Sequence, residues 1–115
     1  MAKSIFLRPD IVTSQDLSAA PLSYTTSINR KFKLQEVILH FSAAVTETIT
    51  ITRDSVNGAN YDHILASRAL SSEQNFVYRA SGEQDFQIGD EVKIQCTNAN
   101  VTGIAYVTIK TRELA

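Results

Sequence analysis

Few residues in this 115-residue chain are of a type that does chemistry, and their spacing decides what each could do. Cys96 is the only cysteine, so no intrachain disulfide can form. It falls at an apolar-parity position in EVKIQCTN, where a buried, inert thiol is expected. The two histidines, His40 and His63, have no cysteine or carboxylate at zinc-binding spacing, and both read as structural residues. Asp54, Asn57, Asn60 and Asp62 in RDSVNGANYD offer the oxygen atoms that calcium takes. Their spacing does not match the twelve-residue calcium loop, and a hairpin turn accounts for the Asn57-Gly58 pair. NVT at 100–102 matches a glycosylation acceptor, with no export signal to support it. The chain contains no Gly-rich phosphate loop, GxSxG elbow or HExxH element, and its named residues do not assemble a nucleophile, a base and an orienting group. A protein without catalysis, cofactor or metal is expected.

The elements that would position these residues alternate with period two. In TETITITR, Ile49 and Ile51 share one face while Thr48, Thr50 and Thr52 share the other, as a half-buried strand requires. EVKIQCTN sets Val92, Ile94 and Cys96 against Lys93, Gln95 and Thr97. GIAYVTIKT sets Ala105, Val107 and Ile109 against Tyr106, Thr108 and Lys110. NANVTG between them has hairpin length, so these two strands are expected to pair antiparallel. SIFLR, PLSYTTSI, FKLQEVILHF, YDHILAS and NFVYRA complete about eight strands, with SSEQN as a possible helical turn. FQIGDEV carries a Gly-Asp turn just before its strand. The expected fold is all-β: an antiparallel β-sandwich, jelly-roll-like, with a closed barrel as the alternative.

Two segments break the regularity. Residues 8–23 carry both prolines and several serines, and read either as an extended piece over a sheet edge or as a connecting loop. In FKLQEVILHF, Val37, Leu39 and Phe41 form one apolar face, while Phe32, Leu34 and Ile38 fall on the opposite parity. A bulge that switches parity would explain this, as would a covering segment or a second subunit on the outer face.

Composition narrows the function classes. A chain of this length buries enough surface to fold as one domain without a metal or disulfide. Eleven Lys+Arg against 12 Asp+Glu, a net charge of -1, argue against nucleic acid as the main ligand. No segment approaches the ~20 apolar residues of a membrane span, and the N-terminus lacks an apolar signal region, so synthesis in a cytoplasm without export is expected.

The hairpin ITITRDSVNGANYDHILASRAL, the aromatic strand NFVYRA and then GEQDFQIGDEVKIQCTNANVTGIAYVTI resemble a pattern met in small virion proteins of tailed bacteriophages. In that family a sandwich strand pair precedes a Gly-Asp turn and an alternating strand ending in Thr-Asn. The matching residues here are Gly89, Asp90, Val92, Ile94, Cys96, Thr97 and Asn98, within a resemblance spanning about residues 32–112. The resemblance implies a head-decoration (cement) protein located in the virion, or a tail or baseplate accessory protein. It implies a homo-oligomer, as a trimer, bound to the major capsid protein or another virion protein, with no nucleic acid or membrane as partner.

On this reading residues 1–22 form an extended arm and 23–115 the sandwich. The interface candidates are Ile5, Phe6, Leu7, Ile11 and Val12 in the arm, with Phe32, Leu34 and Ile38 on the outer side of a strand. The rival from another class is a glycan-binding sandwich, for which a row of solvent-facing tyrosines among Tyr24, Tyr61, Tyr78 and Tyr106 would be the sign.

Overall fold

The computed structural model describes residues 11–18, 20–27, 31–96 and 103–113. Its strands are β1 (Ile11–Asp16), β2 (Ser23–Ser27), β3 (Phe32–Val45), β4 (Thr48–Asp54), β5 (His63–Ala69), β6 (Glu73–Phe86), β7 (Glu91–Cys96) and β8 (Ile104–Glu113). One four-stranded sheet runs β1-β8-β3-β6 and the other β2-β7-β4-β5, with every pair antiparallel. This strand order is that of a jelly roll, in which successive strands, β4 and β5 excepted, alternate between the two sheets. The sandwich expected from the alternation is therefore present, with eight strands among the described residues.

The alternating faces meet between the sheets. Ile49 and Ile51 of β4, Val92 and Ile94 of β7, and Val107 and Ile109 of β8 are all buried in one core with Phe41, Phe86, Leu17 and Leu22. Each such side chain contributes roughly 1.5–3 kcal/mol when removed from water, so the core carries the fold unaided.

Several expectations change. β7 and β8 do not form a hairpin: β7 pairs with β2 and β4, whereas β8 pairs with β1 and β3. Both inner faces are apolar, and lying in opposite sheets lets each bury its stripe against the other rather than beside it. SSEQN is not helical; Glu73 already begins β6, and the one turn of 3-10 helix among the described residues lies at Ala59–Tyr61. Within the stretch assigned to the arm by sequence, β1 pairs with β8 at the sheet edge, and Leu17 and Leu22 are core residues. The strand expected at SIFLR lies outside the described residues, as does the acceptor-like tripeptide at 100–102.

The double parity of β3 has an internal cause. Leu34 and Glu36 pair with the adjacent residues Thr111 and Lys110 of β8, leaving Gln35 as an extra residue. This bulge reverses the alternation, so Phe32 and Leu34 before it and Val37, Leu39 and Phe41 after it all face the core. Phe32 stacks on Phe86 of β6 with ring centroids 4.7 Å apart. Phe32 and Leu34 are fully buried and are thereby removed from the outer face, where the candidate interface had placed them.

Candidate functional site

The outer faces of the two sheets differ. On the second sheet, register places Ser23, Gln95, Thr50 and Ser67 in one row and Thr25, Lys93 and Thr52 in the next. The threonines of TITIT are thus the solvated side of a strand whose isoleucines are core. Ile64 is the exposed apolar residue on that side.

On the first sheet, register aligns Val12 of β1 with Thr108 of β8, Thr108 with Ile38 of β3, and Ile38 with Val77 of β6. These residues form an outward row crossing all four strands, with Val12 69% and Val77 47% exposed and Ile38 and Thr108 half-buried. The next row is Ser14, Tyr106, His40 and Asn75. Here His40 Nδ1 lies 2.8 Å from Asn75 Oδ1, and the imidazole stacks on Tyr106 at 6.1 Å. Ile104 extends the apolar area beyond this row, its amide donating to Ser42 Oγ at 2.8 Å. On the other flank lie Lys110, Glu36 and Arg79, with Arg79 Nε donating to Glu36 Oε2 at 2.8 Å. An apolar centre bordered by polar and charged rows is the anatomy of a protein interface. Among the described residues, no element covers it.

Of the candidates named from sequence, the structure brings Val12 and Ile38 together on this face. Ile11 points inward and packs against the core, and Ile5, Phe6 and Leu7 lie outside the described residues. Val77, Ile104 and Tyr106 were missed. Their alternation with core residues was legible, but each is an isolated apolar residue on an outward parity until register aligns the strands.

A second feature lies at one end of the sandwich, where the β4–β5 loop meets the β6–β7 turn. Ser55 accepts from Gly58 N at 3.1 Å, so the Asn57-Gly58 pair occupies the last two positions of a β-turn that runs into the 3-10 helix. The connection is longer than the two-residue hairpin that the pair advertises. Asp90 is buried at the base of the opposite turn. Its Oδ1 accepts from Val56 N and its Oδ2 from Gln87 N, both at 2.9 Å. Asp62 Oδ1 accepts from Ser55 N at 2.7 Å, and Asp54 pairs with Lys93. The carboxylates of the calcium-like cluster are thus committed to separate structural contacts. Between loop and turn lies a cleft of about 270 Å³ lined by Arg53, Ser55, Asn57, Tyr61, Asp85, Gln87 and Asp90.

Cys96 is half-buried, its amide donating to Leu22 O at 3.0 Å. Burial, with the nearby Glu47 charge adding to it, pushes the thiol up to about 12. His63 is exposed in β5 at the loop end, on the other sheet from His40. Tyr24 and Tyr78 are half-buried against the core, while Tyr61 and Tyr106 are exposed on different parts of the molecule, so the tyrosines make no row. No helix among the described residues is long and apolar enough to cross a membrane.

No protein-family model matches the chain, and no curated protein does. Among solved structures, the Drosophila NLP-core, described for its pentamer formation and histone binding, superposes with a TM-score of 0.51 at 10% identity. That match covers 90% of this chain and 98% of the other. A chain of infectious bursal disease virus, Gt strain, superposes with a TM-score of 0.43 at 10% identity, over 94% of this chain and 30% of the viral one. At these identities the likeness is one of fold, and it rests on the NLP-core.

Proposed function

We propose that this chain is a non-enzymatic structural virion protein, a head-decoration (cement) protein of a tailed bacteriophage that self-associates and binds a preassembled protein lattice. The observation that carries the reading is the apolar row Val12, Thr108, Ile38 and Val77 across the outer face of the first sheet. The second sheet, of the same strand count, has threonine, serine, glutamine and lysine in its outward rows, with Ile64 at the edge strand as their apolar member. A single chain keeps such a stripe exposed at the risk of aggregation, and a symmetric copy that covers it removes the risk. The resemblance in Gly89, Asp90 and the strand after them supports the virion assignment, with the major capsid protein as partner and a trimer as the assembly. The NLP-core, which shares the fold, is described as a pentamer, and five copies are the alternative stoichiometry.

Attachment to the lattice is assigned to the segment before β1, which contains Ile5, Phe6 and Leu7. An apolar extended segment pairs readily with a neighbour's sheet edge, and several weak contacts on one oligomer add to a tight one. Because β1 and Leu17 are parts of the sandwich, the truncation that isolates this segment removes residues 2–10 and no more. The full chain is expected to co-sediment with undecorated heads of its parent virus, and the truncated chain, equally folded, to stay in the supernatant. A full chain that remains in the supernatant contradicts the proposal.

A further inference from the structure

We infer that the cleft between the β4–β5 loop and the β6–β7 turn is a binding site for a single saccharide unit. This is separate from the assembly role, since the cleft lies at the loop end of the sandwich and the apolar row lies on a sheet face. Arg53 continues the inward parity of Ile49 and Ile51, so the strand delivers a guanidinium to the open end of the space between the sheets, where the core stops. Its Nε is buried without a hydrogen-bond partner, and its Nη1 reaches only the Asp85 carbonyl, at a long 3.4 Å. A donor desolvated without an acceptor is costly, and native folds leave few of them. An oxygen brought into the cleft offers the guanidinium a better acceptor than that one long bond.

The remaining lining selects the kind of oxygen. Beside Arg53 stand the Asp90 carboxylate and the Asp85 backbone carbonyl, the Asp85 carboxylate itself being paired with Lys33 at 2.7 Å, so a phosphate or sulfate would meet a carboxylate and a carbonyl along with its one cation. Ser55, Asn57 and Gln87 offer a hydroxyl and two amides, which both donate and accept, as neutral sugar hydroxyls require. The Tyr61 ring, 65% exposed, stands at the rim as a platform for the C–H face of a pyranose. A volume of about 270 Å³ is below that of drug-sized pockets and suits one ring. The walls are held in place before any ligand arrives: Asp90 ties the loop to the turn through Val56 N and Gln87 N, and Asp62 ties the loop to its own start through Ser55 N. A preformed wall lowers the ordering cost of binding.

The test is an amide chemical-shift titration of the full chain with the methyl glycosides of glucose, galactose and N-acetylglucosamine in the millimolar range, and with sodium sulfate in parallel. Saturable shifts at Asn57, Tyr61 and Gln87 are expected with at least one glycoside. Tyr61→Ala, which alters an exposed ring, should weaken that binding by about threefold to tenfold without changing the spectrum elsewhere. The same binding should persist in an Ile38→Lys/Val77→Lys variant, which separates this site from the assembly surface. Three outcomes would overturn the assignment: no shifts with any glycoside, glycoside shifts indifferent to Tyr61→Ala, or saturation by sulfate alone.

Discussion

Asp90 is buried, and its two oxygens serve two loops, one 34 residues away in sequence and one three. Replacing it with alanine leaves the amides of Val56 and Gln87 without acceptors. Charge-assisted bonds to backbone are the strong ones, so Asp90→Ala should cost about 3 kcal/mol in denaturant unfolding, with Asp90→Asn losing less because one acceptor remains. The neighbouring Gly89 has φ +95, and a Cβ there would stand 2.6 Å from Val56 Cγ2. The same turn thus needs glycine for both its backbone and its closeness to the loop. The Gly-Asp turn was legible from FQIGDEV. What the aspartate grips was not, because no local pattern records a partner so distant.

Cys96 gives the pH prediction at this scale. The thiol is raised from 9.0 to about 12 in the folded chain, chiefly by burial. Below pH 9 both states keep the proton and the residue has no effect on the balance. Above it the unfolded chain loses the proton while the folded chain holds it, so stability falls as pH rises from 9 toward 12. The thiol is expected to react with a disulfide reagent at pH 8 far more slowly in the native protein than in urea. Equal rates would place it at the surface.

Among the elements, β3 shows most clearly what alternation can and cannot say. Its two apolar parities were visible in FKLQEVILHF, but a bulge, a covering segment and a partner subunit all produce the same string. Gln35 resolves the choice, because the register against β8 slips by one residue there. Deleting Gln35 would remove the extra residue and leave Phe32, Leu34, Val37, Leu39 and Phe41 on one parity of a regular strand, all still facing the core. Each large side chain is worth roughly 1.5–3 kcal/mol of burial and none is turned outward, so the deletion should lower stability by less than about 2 kcal/mol. A deletion variant that loses its cooperative melting transition would mean that the bulge is not what reconciles the two parities. The β7–β8 link failed for a related reason. A short polar connection marks a reversal of direction, and a jelly roll reverses direction mostly by crossing between sheets. Among the described strands, β4 and β5 are the one consecutive pair that are also neighbours in a sheet, and theirs was one of the two hairpins that the sequence advertised.

For the whole molecule, the asymmetry between the two outer faces is what distinguishes a binding surface from a merely stable sandwich. Half of this was open to sequence reasoning, since Val12 and Ile38 stood out as apolar residues in need of cover. The other half arises when eight strands fix their register and draw Val77 and Tyr106, from distant parts of the chain, beside them. Lysine at Ile38 and Val77 places charge in the middle of that face and touches no fully buried side chain, so the melting temperature should stay close to the parent's. The measurement that bears most directly on the account is sedimentation equilibrium of the parent and of the Ile38→Lys/Val77→Lys variant. A mass of three copies is expected for the parent and of one for the variant. A monomeric parent, or a variant that keeps the parent's mass, would contradict it.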